Sequence, residues 1–84
     1  MADLTLAALQ EIIDSAIPEW GTTLTPENAD LPFEELGVDS LALIETADRL
    51  QERYAVPIPD AAVDDLRTPR LTLAFVNAAL ARQP

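Results

Sequence analysis

Histidine, cysteine and lysine are all missing from this chain, and each absence removes a class of chemistry. Without histidine no Ser–His or Cys–His pair can form. Without cysteine there are no disulfides, thiolate nucleophiles or Cys-based zinc sites. Without lysine there is no Schiff-base chemistry and no P-loop cation. Only carboxylates, five arginines, Tyr54 and hydroxyls remain, which argues against an enzyme acting alone, and no metal site is expected. Aromatic residues make up 5% of the chain, so Leu, Ile, Val and Ala must build the core. No apolar run reaches the roughly 18 residues that a membrane span needs. The start, Met1-Ala2-Asp3-Leu4, has no basic segment, and Glu11 and Asp14 break up the apolar residues after it. A cytoplasmic protein without a signal peptide is expected.

What is abundant is negative charge. Fifteen acidic residues face five arginines, giving a formal net charge of -10. Such a field repels nucleic acid and anionic lipid and steers the protein toward basic surfaces. The charge is densest in the middle, where Glu27, Asp30, Glu34, Glu35, Asp39, Glu45, Asp48 and Glu52 are set against Arg49 alone. The apolar share of 49% fits a folded protein. At 84 residues a single small domain covering 1–84, monomeric and of modest stability, is expected.

The hydrophobic spacing is helical throughout. Thr5 can cap a first helix over about 5–17, in which Leu6, Leu9, Ile13 and Ile17 share a face widened by Ile12 and Ala16. Pro18 ends it. From Glu19 to Val38 no period is sustained. Thr25-Pro26-Glu27 reads as a capped turn, Phe33 to Leu36 as a further single turn, and Leu24, Leu31, Phe33 and Leu36 as the residues that pin this long loop. A second helix, about 40–54, carries Leu43, Ile44, Ala47, Leu50 and Tyr54 inward, with Glu45 and Arg49 forming an i,i+4 pair. Val56-Pro57-Ile58-Pro59 must be extended. Asp60 can cap a short helix to about Leu66, and Thr68-Pro69 starts a last helix ending near Arg82, with Leu71 or Thr72, Phe75, Val76, Ala79 and Leu80 inward. The expected fold is all-α, a small four-helix bundle of three main helices and one short one, with a long first loop.

Ser40 stands out within this frame. It follows Gly37 and Asp39 at the start of the second helix, where unpaired N–H groups and the positive end of the macrodipole favour a phosphate ester. A serine here could simply be a cap, but Asp39 already offers a capping oxygen. A nucleophile elbow is excluded, because the Gly-x-Ser-x-Gly spacing is absent and no histidine exists to take the proton.

The stretch Phe33-Glu34-Glu35-Leu36-Gly37-Val38-Asp39-Ser40-Leu41-Ala42-Leu43-Ile44-Glu45 resembles the prosthetic-group site of acyl carrier proteins. That family shows Leu-Gly-x-Asp-Ser-Leu followed by an apolar helix with glutamate five residues after the serine. The likeness extends through Leu50, Tyr54, Val56-Pro57-Ile58-Pro59 and Thr68-Pro69-Arg70, covering essentially the whole chain. It implies a carrier rather than an enzyme. A phosphopantetheinyl transferase would esterify Ser40 with 4′-phosphopantetheine from coenzyme A, helped by Asp39. The thiol of that arm would carry acyl groups as thioesters, and tethering would present them to several active sites at high effective concentration.

The resemblance also implies a recognition face on the second helix, with Glu45, Asp48 and Glu52 on one side and Leu41 as an apolar anchor. Its partners would be a ketosynthase, an acyltransferase and tailoring enzymes with basic docking surfaces. Leu43, Ile44 and Ala47 would border a cleft sheltering the acyl chain. Ala42 departs from the fatty-acid branch, where an acidic residue is usual. Leu41 to Ala47 looks more like the discrete carriers of type II aromatic polyketide synthases. The alternatives are a fatty-acid carrier, or an unmodified acidic helical adaptor for a basic partner.

Overall fold

The computed structural model describes residues 3–82, so the part of the N-terminal reading that concerns Met1 and Ala2 lies outside the described residues. Four helices and no strands are found among them: α1 (Leu6–Ala16), α2 (Ser40–Tyr54), a short 3-10 helix (Asp60–Leu66) and α3 (Pro69–Arg82). Thr5 caps α1, its hydroxyl accepting from the Ala8 N–H at 3.1 Å, and Leu9, Ile12 and Ile13 form the buried stripe. The helix stops one residue before Ile17, which precedes Pro18 and cannot keep helical backbone angles. α1 packs on α2 and α3, and the short helix bridges α2 and α3.

The long loop is held by side chains rather than by secondary structure. Gln10 reaches from α1 to donate to the Thr22 carbonyl at 2.8 Å and to accept from the Leu24 N–H at 2.6 Å. The Trp20 indole donates to the Leu36 carbonyl at 2.6 Å. Thr25 and Asn28 accept from each other's backbone N–H, which makes the expected capped turn. Leu24, Ala29, Phe33, Leu36 and Val38 are buried in or beside the core. Leu31 was expected among them and is instead 43% exposed. The turn points the smaller Ala29 inward, and the Arg70 N–H bonds its carbonyl at 2.9 Å, so the next residues face out.

Two further expectations on helix faces are corrected, and one left open is resolved. In α2 the buried residues are Thr46, Ala47 and Leu50, whereas Ile44 is 42% exposed. Thr46 tolerates burial because its hydroxyl donates to the Ala42 carbonyl at 2.8 Å, leaving no unsatisfied polar group. Arg49 does not pair with Glu45. It is half-buried beside Ile12 and Ser15 of α1, and among the described residues a single ion pair forms, Arg70 to Asp30 at 2.7 Å. In α3, of the two residues left open for the inward position, Thr72 takes it and Leu71 is 48% exposed.

Asp60 is the first residue of the short helix rather than its cap. Pro59 precedes it with no side-chain cap. The segment winds as a 3-10 helix, in which residues three apart stack, so Val63 lies one turn above the fully buried Leu66. Thr68 caps α3 as expected, accepting from the Leu71 N–H at 3.1 Å. Asn77 of α3 clamps Leu4 through both its backbone N–H and carbonyl, at 2.7 and 3.0 Å, drawing Leu4 into the core.

The loop ends in a turn at Phe33 to Gly37, where Gly37 has φ +85°. A methyl group there would meet the Trp20 Nε1 at 3.4 Å. Gly37→Ala is therefore expected to cost about 1–2 kcal/mol from the left-handed backbone, plus a contact penalty. Gly21→Ala shares the positive φ but meets nothing closer than 3.8 Å, so urea denaturation should show the smaller loss for it. Equal losses would mean that the Trp20 contact is unimportant.

Candidate functional site

Ser40 is solvent-exposed on the first turn of α2. Two things place it there. The Phe33–Gly37 turn closes with the Val38 N–H donating to the Phe33 carbonyl at 2.9 Å, and Val38 is buried beneath it. Asp39 then adopts an extended backbone as the N-cap, with Oδ1 accepting from the Ala42 N–H at 2.8 Å and its carbonyl accepting from the Leu43 N–H at 2.9 Å. The N–H groups of Ser40 and Leu41 have no protein acceptor among the described residues. The site thus offers an accessible hydroxyl beside unpaired donors at the positive helix end, and these features fit a phosphate ester.

A cavity of about 440 Å³ opens beside the hydroxyl, between the loop turn, the start of α2 and the short helix. Phe33, Val38, Leu43 and Val63 supply apolar wall. Of the residues expected to border a cleft, Leu43 does so, while Ile44 and Ala47 are not among its lining residues. Successive helix residues are about 100° apart, so Ile44 turns away to solvent, and Ala47 faces the core cluster at the middle of the helix. Charged residues line it as well: Glu34, Asp39, Asp64 and Arg67. Val63, Asp64 and Arg67 escaped sequence reasoning because they come from an element more than twenty residues downstream. Their one sequence signal is an arginine in a strongly acidic region.

On the outer side of α2, Leu41 is 74% exposed, and Ile44, Glu45, Asp48 and Glu52 are exposed at spacings of three and four. The helix therefore presents one face that combines apolar and anionic groups next to Ser40. No helix is long and apolar enough to cross a membrane, and no cluster of three metal-ligating side chains is present among the described residues.

The four-helix fold displays an exposed serine at a capped helix start, with a cavity at its side. Comparison with known proteins identifies this arrangement. Residues 6–76 match the family described as "Phosphopantetheine attachment site". The actinorhodin polyketide synthase acyl carrier protein of Streptomyces coelicolor is 52% identical over 61 residues, 73% of this chain and 71% of that one. The granaticin polyketide synthase acyl carrier protein of Streptomyces violaceoruber is 42% identical over 82 residues, 96% of each chain. The solved structure of the actinorhodin holo acyl carrier protein superposes with a TM-score of 0.84 at 43% identity, covering 99% of this chain and 98% of that one. This chain belongs to the acyl carrier protein family, and its prosthetic group is 4′-phosphopantetheine.

The cap gives a test that separates fold from chemistry. Asp39→Ala removes the capping oxygen and is expected to lose about 1 kcal/mol, whereas Asp39→Asn keeps a capping oxygen and should stay within about 0.5 kcal/mol of the parent. Thermal or urea unfolding measures both, and an Ala variant as stable as the parent would show that the 2.8 Å bond contributes nothing.

Proposed function

We propose that the chain is the acyl carrier of a type II polyketide synthase, working as a single domain and a monomer in the cytoplasm. Ser40 is the residue that bears the prosthetic group, whose terminal thiol carries growing acyl and polyketide intermediates as thioesters. The observation that carries this reading is the exposed Ser40 hydroxyl on the first turn of α2, capped by Asp39. The relatives' names support the pathway: the actinorhodin and granaticin proteins are both carriers of polyketide synthases.

Each surrounding residue then has work to do. Asp39 fixes the helix start and leaves its second carboxylate oxygen for the attachment step performed by a phosphopantetheinyl transferase. Leu43, on the wall of the cavity beside Ser40, gives the acyl chain an apolar contact. Leu41 and Ile44 serve as apolar anchors for a partner, flanked by Glu45, Asp48 and Glu52. The matching surfaces on the ketosynthase, the acyltransferase and tailoring enzymes are basic, so opposite fields speed encounter while the small apolar patch fixes register.

Incubation with coenzyme A and a broad-specificity phosphopantetheinyl transferase should raise the protein's mass by one phosphopantetheine, and Ser40→Ala should abolish the gain. An unchanged parent mass, or a gain that survives Ser40→Ala, would overturn the assignment and favour an unmodified adaptor. Reversing Glu45 and Asp48 to lysine together should slow acyl transfer to a partner synthase by ~10-fold at low salt. Because both side chains are exposed, stability should change by less than about 0.5 kcal/mol. Undiminished transfer at low salt would remove this face as the docking surface.

A further inference from the structure

Arg67 lines the Ser40 cavity and is the cation among its lining residues, which also include the carboxylates Glu34, Asp39 and Asp64. Its backbone is anchored. The carbonyl accepts from the Phe33 N–H at 2.9 Å, the preceding Leu66 is fully buried, and Pro69 two residues on is buried as well. The guanidinium, by contrast, is exposed and makes no hydrogen bond or ion pair among the described residues. It does not pair even with Asp64, on the same wall. Arg70 shows the opposite state, with Asp30 at 2.7 Å and the Pro26 carbonyl at 3.1 Å. Arg67 thus has a fixed backbone and an uncommitted head, and it lines the same cavity as Ser40.

The anion introduced there on loading is the phosphodiester at Ser40, so the inference rests on Ser40 being the attachment residue. The phosphodiester adds a negative charge next to Asp39, whose carboxylate already caps the helix start and offsets part of the favourable dipole. The unpaired N–H groups at the start of α2 offset part of this added charge, and a cation on the facing element offsets more. We propose that Arg67 grips this phosphate from across the cavity. The planar fork of a guanidinium suits phosphate oxygens better than any other side chain. The contact ties the root of the arm to the short helix and sends the arm along the groove between that helix and α2, past Leu43, rather than outward over Leu41. Arg67 is a positioning residue, and the chemistry of thioester transfer does not pass through it.

The test compares unloaded and loaded protein for the parent, Arg67→Gln, Arg67→Lys and Asp64→Asn, with loading verified by mass. The Arg67 Nε–Hε NMR signal should move and lose mobility when the parent is loaded. The ³¹P resonance of the loaded protein should shift in Arg67→Gln, return part of the way in Arg67→Lys, and stay at the parent value in Asp64→Asn. An Arg67 signal indifferent to loading, with one ³¹P position for parent and Arg67→Gln, would overturn the contact. So would equal ³¹P shifts in Arg67→Gln and Asp64→Asn, since those would report only the change in local field. A parent that gains no mass overturns the carrier assignment itself, whereas a parent that loads with unmoved signals overturns the role of Arg67 alone. The substituted side chain is exposed and its backbone bond to Phe33 is retained, so the variant folds.

Discussion

The hydrogen bond from the Phe33 N–H to the Arg67 carbonyl, made over a fully buried Phe33 ring, is the joint on which the functional end of the molecule depends. It fastens the last turn of a long irregular loop to the short helix. From that fixed point the Phe33–Gly37 turn, the buried Val38 and the Asp39 cap come in sequence, and together they decide where α2 begins. Burying a phenylalanine contributes about 2–3 kcal/mol, enough to offset much of the entropy of ordering the turn. The Trp20 indole bond to the Leu36 carbonyl secures the same turn from the opposite side. A serine at the start of a frayed helix would present no defined donors; here the start is held from two directions.

The second constraint is electrostatic. A net charge of -10 on 84 residues makes the folded state repel itself, and most carboxylates find no ion-pair partner among the described residues. The fold compensates with dipoles and neutral hydrogen bonds: the capping of α1 and α3 by threonine hydroxyls, of α2 by Asp39, and the Gln10 and Asn77 side-chain clamps. The negative charge is thereby left at the surface rather than neutralised in internal ion pairs. Arginine is used sparingly. Arg70 ties the loop to α3, Arg49 lies against α1, and Arg67 stands at the cavity.

These constraints together separate two sides of α2. Its outward face, from Leu41 to Glu52, is solvent-exposed and mixed in character. Its flank toward the short helix borders a cavity lined by both apolar and charged residues. Ser40 stands where the two meet. The exposed serine therefore has a solvent-facing mixed surface on one side and a cavity on the other. The 3-10 winding of the short helix is part of this arrangement, because it stacks Val63 over the buried Leu66 and turns Asp64 and Arg67 to the cavity.

The primary structure alone determined whatever depends on near neighbours in the chain. The caps at Thr5, Asp39 and Thr68, the start of α3 at Pro69, the four helices in order, the turn after Phe33 and the accessibility of Ser40 all come from residues within a few positions of each other, where dihedral preference and capping chemistry act. The resemblance around Leu36 to Leu41 was legible for the same reason. Tertiary structure decided which side of each helix counts as inside. Ile44 and Leu71 face solvent while Thr46 and Thr72 are buried, since neighbouring helices cover those positions and a hydroxyl can satisfy itself on its own helix. It also turned Leu31 outward in favour of Ala29, took Arg49 away from Glu45, and put Leu43, without Ile44 and Ala47, on the wall of a cavity shared with the short helix. No local signal could join Ser40 to Arg67, because their proximity exists only once the loop closes on a distant carbonyl.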